Sequence, residues 1–303
     1  MPPPEARDIH VEQGAGTPQA HGRRDRCHVA RVADTATDRL IEMLPVTERM
    51  PVLFLGHGSP INAVEDNDFT RALQVAAVDL PRPQAIMVVS AHWLTDSTVV
   101  TCGEKPRTIH DFLGFPEELY HVTYPAPGAP SQARAALELT KLAQVACDFN
   151  WGFDHASWAP LRHMFPKADV PMFEMSLDMS KPPGVHYSLA AHLEPLRQHG
   201  VLIVGSGNIV HNLGRVHWES DAEPYPWAVE FDEIVKAKLL AGDHDALVDY
   251  KRLGPSAQLA VPTPDHYLPM LYAIGLQLPE EPLSFIYEGF QNASVSMRCL
   301  RIG

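Results

Sequence analysis

The chain has 303 residues, 45% hydrophobic and 20% charged, a globular balance that suits one large α/β domain or two smaller ones. Its 24 Lys+Arg against 37 Asp+Glu leave a net charge of −13 with no long basic run, which argues against nucleic acid and anionic membranes as main partners. No apolar run reaches the ~20 residues of a membrane span. Cys27, Cys102, Cys147 and Cys299 are far apart and form no CxxC pair, so neither a disulfide framework nor a thiolate zinc site is expected, and a reducing cytoplasm fits.

In chain order, residues 1–48 differ from the rest. Pro2 to Thr37 is polar, with Arg23-Arg24-Asp25-Arg26 and no sustained apolar period, and reads as a disordered extension. It lacks the apolar centre of a signal peptide, and its acidic residues (Glu5, Asp8, Glu12, Asp25, Asp34 and Asp38) do not suit a mitochondrial transit peptide. Met43 and Met50 stand just before the first strand as candidate natural starts, and residues 49–303 then read as one domain. Strand 52–55 is followed by a helix over Asn62–Asp79, with Phe69, Leu73, Ala76 and Ala77 on one face. Strand 85–90 and a strand at Thr98–Cys102 come next. A helix is then predicted from Ser131 to Ala146, with Ser131 as N-cap and Ala135, Leu139 and Leu142 on one face. Strand Val170–Leu177, a helix at Ser188–Gln198 and strand 201–205 follow. Pro226–Ala241 reads as a helix with proline in its first turn, Tyr267–Leu276 as another, and Leu283–Tyr287 and Ser294–Ile302 as two strands. Such alternation predicts an α/β fold whose sheet is covered by helices on both faces. Cys102 and Cys299, in apolar strand-like contexts, read as small buried thiols.

Three apolar runs end in a histidine that belongs at the rim of that sheet: Val52 to His57, Ile86 to His92, and Val201 through Gly205-Ser206-Gly207-Asn208 to His211. Buried parallel strands read as short continuous apolar runs, and open α/β sheets bind ligands beyond their carboxyl ends. Neutral imidazole is a common ligand of zinc and iron. His266, in Thr263-Pro264-Asp265-His266-Tyr267-Leu268-Pro269, heads a helix and can complete a triad, with Asp265 as a further ligand or as the partner of one. Each histidine alone is explained by an ordinary polar strand end. Jointly they point to a metal site, although the spacing is neither HExxH nor C2H2. Ser59, Ser90 and Ser206 also sit at strand ends near histidines, as a hydrolase nucleophile would, but their surroundings do not fit GxSxG. With Val210 in the last position, Gly205-Ser206-Gly207 fails GxGxxG as well. The loops Thr108–Phe115, Trp151–Trp158 and Tyr225–Trp227 carry residues suited to building a pocket.

Taken in order, Leu55-Gly56-His57-Gly58-Ser59-Pro60, Ser90-Ala91-His92-Trp93, Trp151-Gly152-Phe153-Asp154-His155, Gly207-Asn208-Ile209-Val210-His211-Asn212-Leu213 and Pro264-Asp265-His266-Tyr267-Leu268-Pro269 form a specific pattern. On these motifs the chain, from about residue 50 to 303, resembles the class III (LigB-type) extradiol ring-cleavage dioxygenases, in the branch of the 4,5-DOPA dioxygenases and their bacterial relatives. The resemblance implies a single α/β domain with a central, mostly parallel or mixed sheet. It implies a metal held by His57, His92 and His266, with His211 as the acid/base residue, able to approach the metal as a fourth ligand. Fe(II) is implied for activity, and some relatives carry Zn(II) in the same pocket. Well-studied LigB enzymes use a glutamate as third ligand, giving the 2-His-1-carboxylate triad. The matching position here is His266, which leaves the site more positive, favours a catecholate ligand and opposes electron donation to dioxygen; Asp265 offsets part of that charge.

The implied reaction is opening of a catechol such as L-DOPA by dioxygen, by 4,5-cleavage to a seco-DOPA semialdehyde, with His211 accepting a catechol proton. His155 and His110 would bind substrate or shape the dioxygen side, and Trp93, Trp151, Phe153 and Trp158 would wall an aromatic pocket. The implied partners are a catecholic small molecule and dioxygen, without nucleic acid or membrane, and the oligomeric state is left open. Two other readings stay open: a zinc-dependent hydrolase using the same histidines to activate water, and a non-catalytic binding protein of the same fold.

Overall fold

The computed structural model describes residues 38–303, so most of the stretch expected to be disordered lies outside the described residues, as does the side chain of Leu142. The end of that stretch is structured. Asp38–Glu42 forms helix α1, Ile41 and Leu44 are buried in the core, and the Thr47 N–H donates to the Gln198 carbonyl at 2.8 Å. The fold therefore begins before the boundary expected at residue 49.

The strands are β1 (Val52–Gly56), β2 (Ala85–Thr95), β3 (Val99–Thr101), β4 (Ala146–Asp148), β5 (Met172–Asp178), β6 (Val201–Gly207), β7 (Leu283–Tyr287), β8 (Phe290–Gln291), β9 (Val295–Ser296) and β10 (Cys299–Ile302). Eight of them form one sheet in the order β4-β3-β5-β2-β6-β1-β10-β7, and β8 pairs with β9. β5, β2, β6 and β1 run parallel, while β10 and β7 add antiparallel pairings at one edge. This is the mixed sheet that was expected.

Between the strands lie α2 (Asp68–Val78), α3 (Glu117–Tyr120), α4 (Pro130–Leu139), α5 (His155–Met164), α6 (Pro183–His192), α7 (Pro226–Ala241), α8 (His244–Val248), α9 (Ser256–Ala260) and α10 (Leu268–Gly275). Side chains alternate across a strand, and here both directions lead into core. Val52 and Phe54 join Met87, Ile203 and the apolar faces of α4, α6, α7 and α10. Leu53 and Leu55 join Ile86, Leu202 and the faces of α2 and α5. Burial on both sides explains why these strands read as unbroken apolar runs.

Departures from the expected elements have local causes. The helix at 130–139 takes Pro130 as its first residue and Ala129, not Ser131, as N-cap. It ends at Leu139 and gives way to a 3-10 turn, Lys141–Ala143, which Gln144 closes in a left-handed conformation (φ 55°), and Ala146 belongs to β4. The helix expected at 188–198 is α6 followed by a 3-10 segment, Glu194–His199, since Pro195 has no N–H to continue an α-helix. The expected last strand divides into β9 and β10.

The cysteine expectation is corrected. Cys102 and Cys147 are joined in a disulfide that staples the end of β3 to β4. They are 45 residues apart and meet only because β3 and β4 pair in parallel, a contact that spacing does not reveal. Cys299 is the buried thiol that was expected, and burial pushes it up to about 12. No helix among the described residues is long and apolar enough to cross a membrane. Closing a loop of this length stabilises a fold by about 2–4 kcal/mol. Cys147→Ser should therefore lower the denaturant midpoint by that equivalent, and a reductant should lower the parent to match. A midpoint indifferent to both would show that the staple contributes nothing.

Candidate metal centre and active site

β2, β6 and β1 are neighbours in the sheet, so their carboxyl ends open side by side. His57 is the first residue beyond β1, and its N–H donates to the Gly207 carbonyl at 3.2 Å. His92 does not end its strand. It rides on an irregularity where the β2–β5 register shifts between Val89 and Leu94, which turns its ring into the site. His211 lies past β6, with its N–H on the Ala260 carbonyl at 2.9 Å. His266 arrives on the segment leading into α10, which rests directly on β6: the Asn208 N–H donates to the His266 carbonyl at 2.8 Å. A Cβ at Gly207 would stand 2.1 Å from that carbonyl, and one at Gly205 2.2 Å from the Pro269 carbonyl. Glycine is required at both, which explains a Gly-Ser-Gly strand end that fits no nucleotide motif.

The ring nitrogens converge. Nε2 of His92 lies 3.2 Å from Nε2 of His57 and 3.3 Å from Nε2 of His266, and the three can ligate one ion together. Such separations suit a cation held at ~2.0–2.1 Å by each nitrogen. The tautomers agree. The Ser206 hydroxyl donates to the Ala156 carbonyl at 2.6 Å, so at 3.1 Å it accepts the Nδ1–H of His57. That carbonyl is available because Pro160, four residues on in α5, has no N–H to claim it. His92 gives its Nδ1–H to Asp111 Oδ2 at 3.2 Å, and His266 gives its own to Asp265 Oδ2. With every Nδ1 proton engaged, the three Nε2 lone pairs face one another, an arrangement of donors that suits a metal ion.

Burial, followed by repulsion among the imidazoles, holds His57 well below its usual pKa, and burial likewise lowers His211 and His266. Burial also opposes charge on His92, but its hydrogen bond to Asp111 and the fields of Asp154, Asp111 and Asp265 outweigh it and raise its pKa. Asp111 and Asp265 resist the upward push of burial because imidazole N–H groups bond them, and both stay well below the usual carboxylate range. Behind them is a buried acid pair. Glu174 accepts the Asp154 N–H and the Trp151 indole N–H, both at 2.9 Å, while Asp154 accepts the Ser90 hydroxyl at 2.6 Å. Burial pushes Asp154 up to about 6 and Glu174 well above its usual value. Two ionised carboxylates, Asp111 and Asp265, behind a ring of imidazoles make this a place for a cation.

His57, His92, His266, His211 and His155 are thus brought together. His211 stacks flat on His266, with centroids 3.5 Å apart, and His155 lies 4.1 Å from His92, centroid to centroid. His110 stands apart: its Nε2 donates to the Val122 carbonyl at 2.9 Å, and its ring packs on Phe112, Tyr120 and Trp158. Of the aromatic residues, Trp158 and Phe153 are fully buried in the core below the site, and Trp93 stacks on Trp151. Asp265 accepts the Nδ1–H of His266. Sequence reasoning assigned no role to Asp111, Asp154 or Glu174 and weighed Ser206 only as a nucleophile. The proline four residues after Ala156 was the one local signal for Ser206.

An α/β sheet whose strand ends gather three metal-ready imidazoles defines a candidate metalloenzyme. Comparison with known proteins gives the family. Residues 51–297 match the model described as the catalytic LigB subunit of aromatic ring-opening dioxygenase. The chain is 48% identical over 266 residues to a 4,5-DOPA dioxygenase extradiol of Escherichia coli K12, covering 86% of this chain and 98% of that protein. It is 36% identical to the protein of that name from Mirabilis jalapa, over 73% and 85% of the two chains. A crystal structure of an uncharacterized E. coli K12 protein superposes with a TM-score of 0.74 at 45% identity, covering 84% of this chain and all of that one. The chain belongs to the LigB family and is an extradiol, metal-dependent aromatic ring-opening dioxygenase. That sets aside the hydrolase and the non-catalytic readings.

Ser206→Ala removes the acceptor for His57 Nδ1–H without touching a ligand atom. It should weaken metal binding about 10–100-fold, the usual effect of removing a ligand's partner, as read by chelator competition. Unchanged affinity would show that the ring is held by packing alone.

Proposed function

We propose that the enzyme opens a catechol such as L-DOPA by 4,5-cleavage to a seco-DOPA semialdehyde, using Fe(II) held by His57, His92 and His266. In this reading His211 is the acid/base residue, and His155 and His110 lie toward the substrate. The observation that carries it is the convergence of three Nε2 atoms in a chain 48% identical to a relative named for that reaction. When bound, iron supplies a route for electrons between catechol and dioxygen. The chain's own residues position the groups and move protons. His211, stacked on His266, is held beside the ligand set, where its imidazole can take a hydroxyl proton and return it. His155, with its Nδ1–H on Asp111 at 2.9 Å, keeps Nε2 as an acceptor for a substrate hydroxyl. His110 contributes through Phe112, whose ring touches both His110 and His155. Zn(II) suits the same nitrogens, so metal analysis belongs with the assay.

Anaerobic loading with Fe(II), followed by air and L-DOPA, should consume dioxygen and yield a yellow product. No uptake with DOPA, caffeate, protocatechuate or catechol would reject this reading. His57→Ala and His92→Ala should lose the metal. His211→Ala should keep it and lose turnover by about 10²–10⁴-fold; full activity in that variant would remove its role. We place the enzyme in the cytoplasm. Since Cys102 and Cys147 are bonded, alkylation of freshly lysed cells tests this: two protected cysteines throughout would favour an oxidising compartment.

A further inference from the structure

One carboxylate in the site serves two imidazoles. Asp111, on the loop before α3, places Oδ2 at 2.9 Å from Nδ1 of His155 and 3.2 Å from Nδ1 of His92, while its Oδ1 accepts the His155 N–H at 3.0 Å. An ionised carboxylate only accepts hydrogen bonds, so both Nδ1 atoms carry protons, and in the neutral imidazoles that bind a metal or accept a hydrogen bond each Nε2 then carries the lone pair. The first lone pair belongs to the metal triad. The second, on His155, lies beside that triad, since the His155 ring is 4.1 Å from His92 and 5.4 Å from His57, centroid to centroid. We propose that Asp111 is a positioning residue that fixes two histidines at once, making His92 a metal ligand and His155 a hydrogen-bond acceptor for the bound catechol.

The proposal rests on the dioxygenase reading above and deepens it. It also predicts an order of effects that a structural role does not. Asp111→Ala leaves both Nδ1–H groups free to find water. Asp111→Asn instead can set an amide N–H against them, a donor facing donors. The relief is to move the imidazole proton to Nε2, which removes the lone pair from the metal or from the substrate. If Asp111 only braced the loop, asparagine, nearly the same shape, would be the milder change.

Three readouts test it. Zn(II) dissociation constants by chelator competition should rise about 10–100-fold in Asp111→Asn and at least as much as in Asp111→Ala. The thermal midpoint of the metal-free protein should fall more in Asp111→Ala, because asparagine keeps an acceptor for the His155 N–H. Binding of 4-nitrocatechol to the metal-loaded enzyme without dioxygen should weaken in both Asp111→Asn and His155→Ala, and the double variant should bind no more weakly than the worse single one. Asp111→Asn holding Zn(II) as tightly as the parent, or losses in catechol binding that simply add, would overturn the proposal. A parent that binds Zn(II) tightly but takes up no dioxygen with any catechol would reject the dioxygenase reading. The metal-affinity series would still judge Asp111.

Discussion

An imidazole can offer Nε2 to a metal only while Nδ1 holds its proton, and a buried Nδ1–H needs an acceptor. The hydrogen bonds behind the three proposed ligands, His57, His92 and His266, meet that requirement. Each acceptor comes from a different part of the chain: a strand hydroxyl for His57, a loop carboxylate for His92, and the preceding residue's carboxylate for His266. The Ser206 hydroxyl can accept only because it has somewhere to donate, and that carbonyl is open because a proline interrupts the ladder of α5. A defect in helical hydrogen bonding, which would cost stability in isolation, is thereby absorbed into the site.

The same partners settle the charge. Three neutral histidines leave a divalent ion uncompensated, which favours catecholate but discourages electron donation to dioxygen. Counting Asp265 alone leaves a positive site. The structure adds Asp111, also held well below the usual carboxylate range, so two anionic groups stand one hydrogen bond away from the ligands. Their combined charge equals in size that of a divalent ion. Asp154 and Glu174, whose carboxyls burial pushes toward the neutral form, lie a further step back. In the proposed triad, negative charge that a glutamate ligand would place on a metal is carried instead by the hydrogen-bond partners of the histidines.

What was legible in the sequence was what local pattern determines. Unbroken apolar runs marked β1, β2 and β6 because both faces of those strands are buried, and Pro226 marked the first turn of α7. The three candidate ligands and His155 stood in recognisable motifs. Illegible features depend on contacts between distant segments. Ser206 reaches His57 across 149 residues and Asp111 reaches His155 across 44. Cys102 and Cys147 meet only through strand pairing. His110 and Asp111 are neighbours whose side chains diverge: Asp111 bonds His155 and His92, whereas His110 bonds the Val122 carbonyl.

The separations along the chain also fix when the site can exist. His57 and His92 are 35 residues apart, but His92 and His266 are separated by 174. Contacts of such range form late, after the sheet that carries them has been assembled. On the ribosome, His57 and His92 emerge long before the segment bearing His266, so an ion meeting the nascent chain finds the triad unfinished. A triad of His57, His92 and His266 therefore cannot close until the segment bearing His266 has been made, and a chain broken off before α10 carries only two of the three proposed ligands.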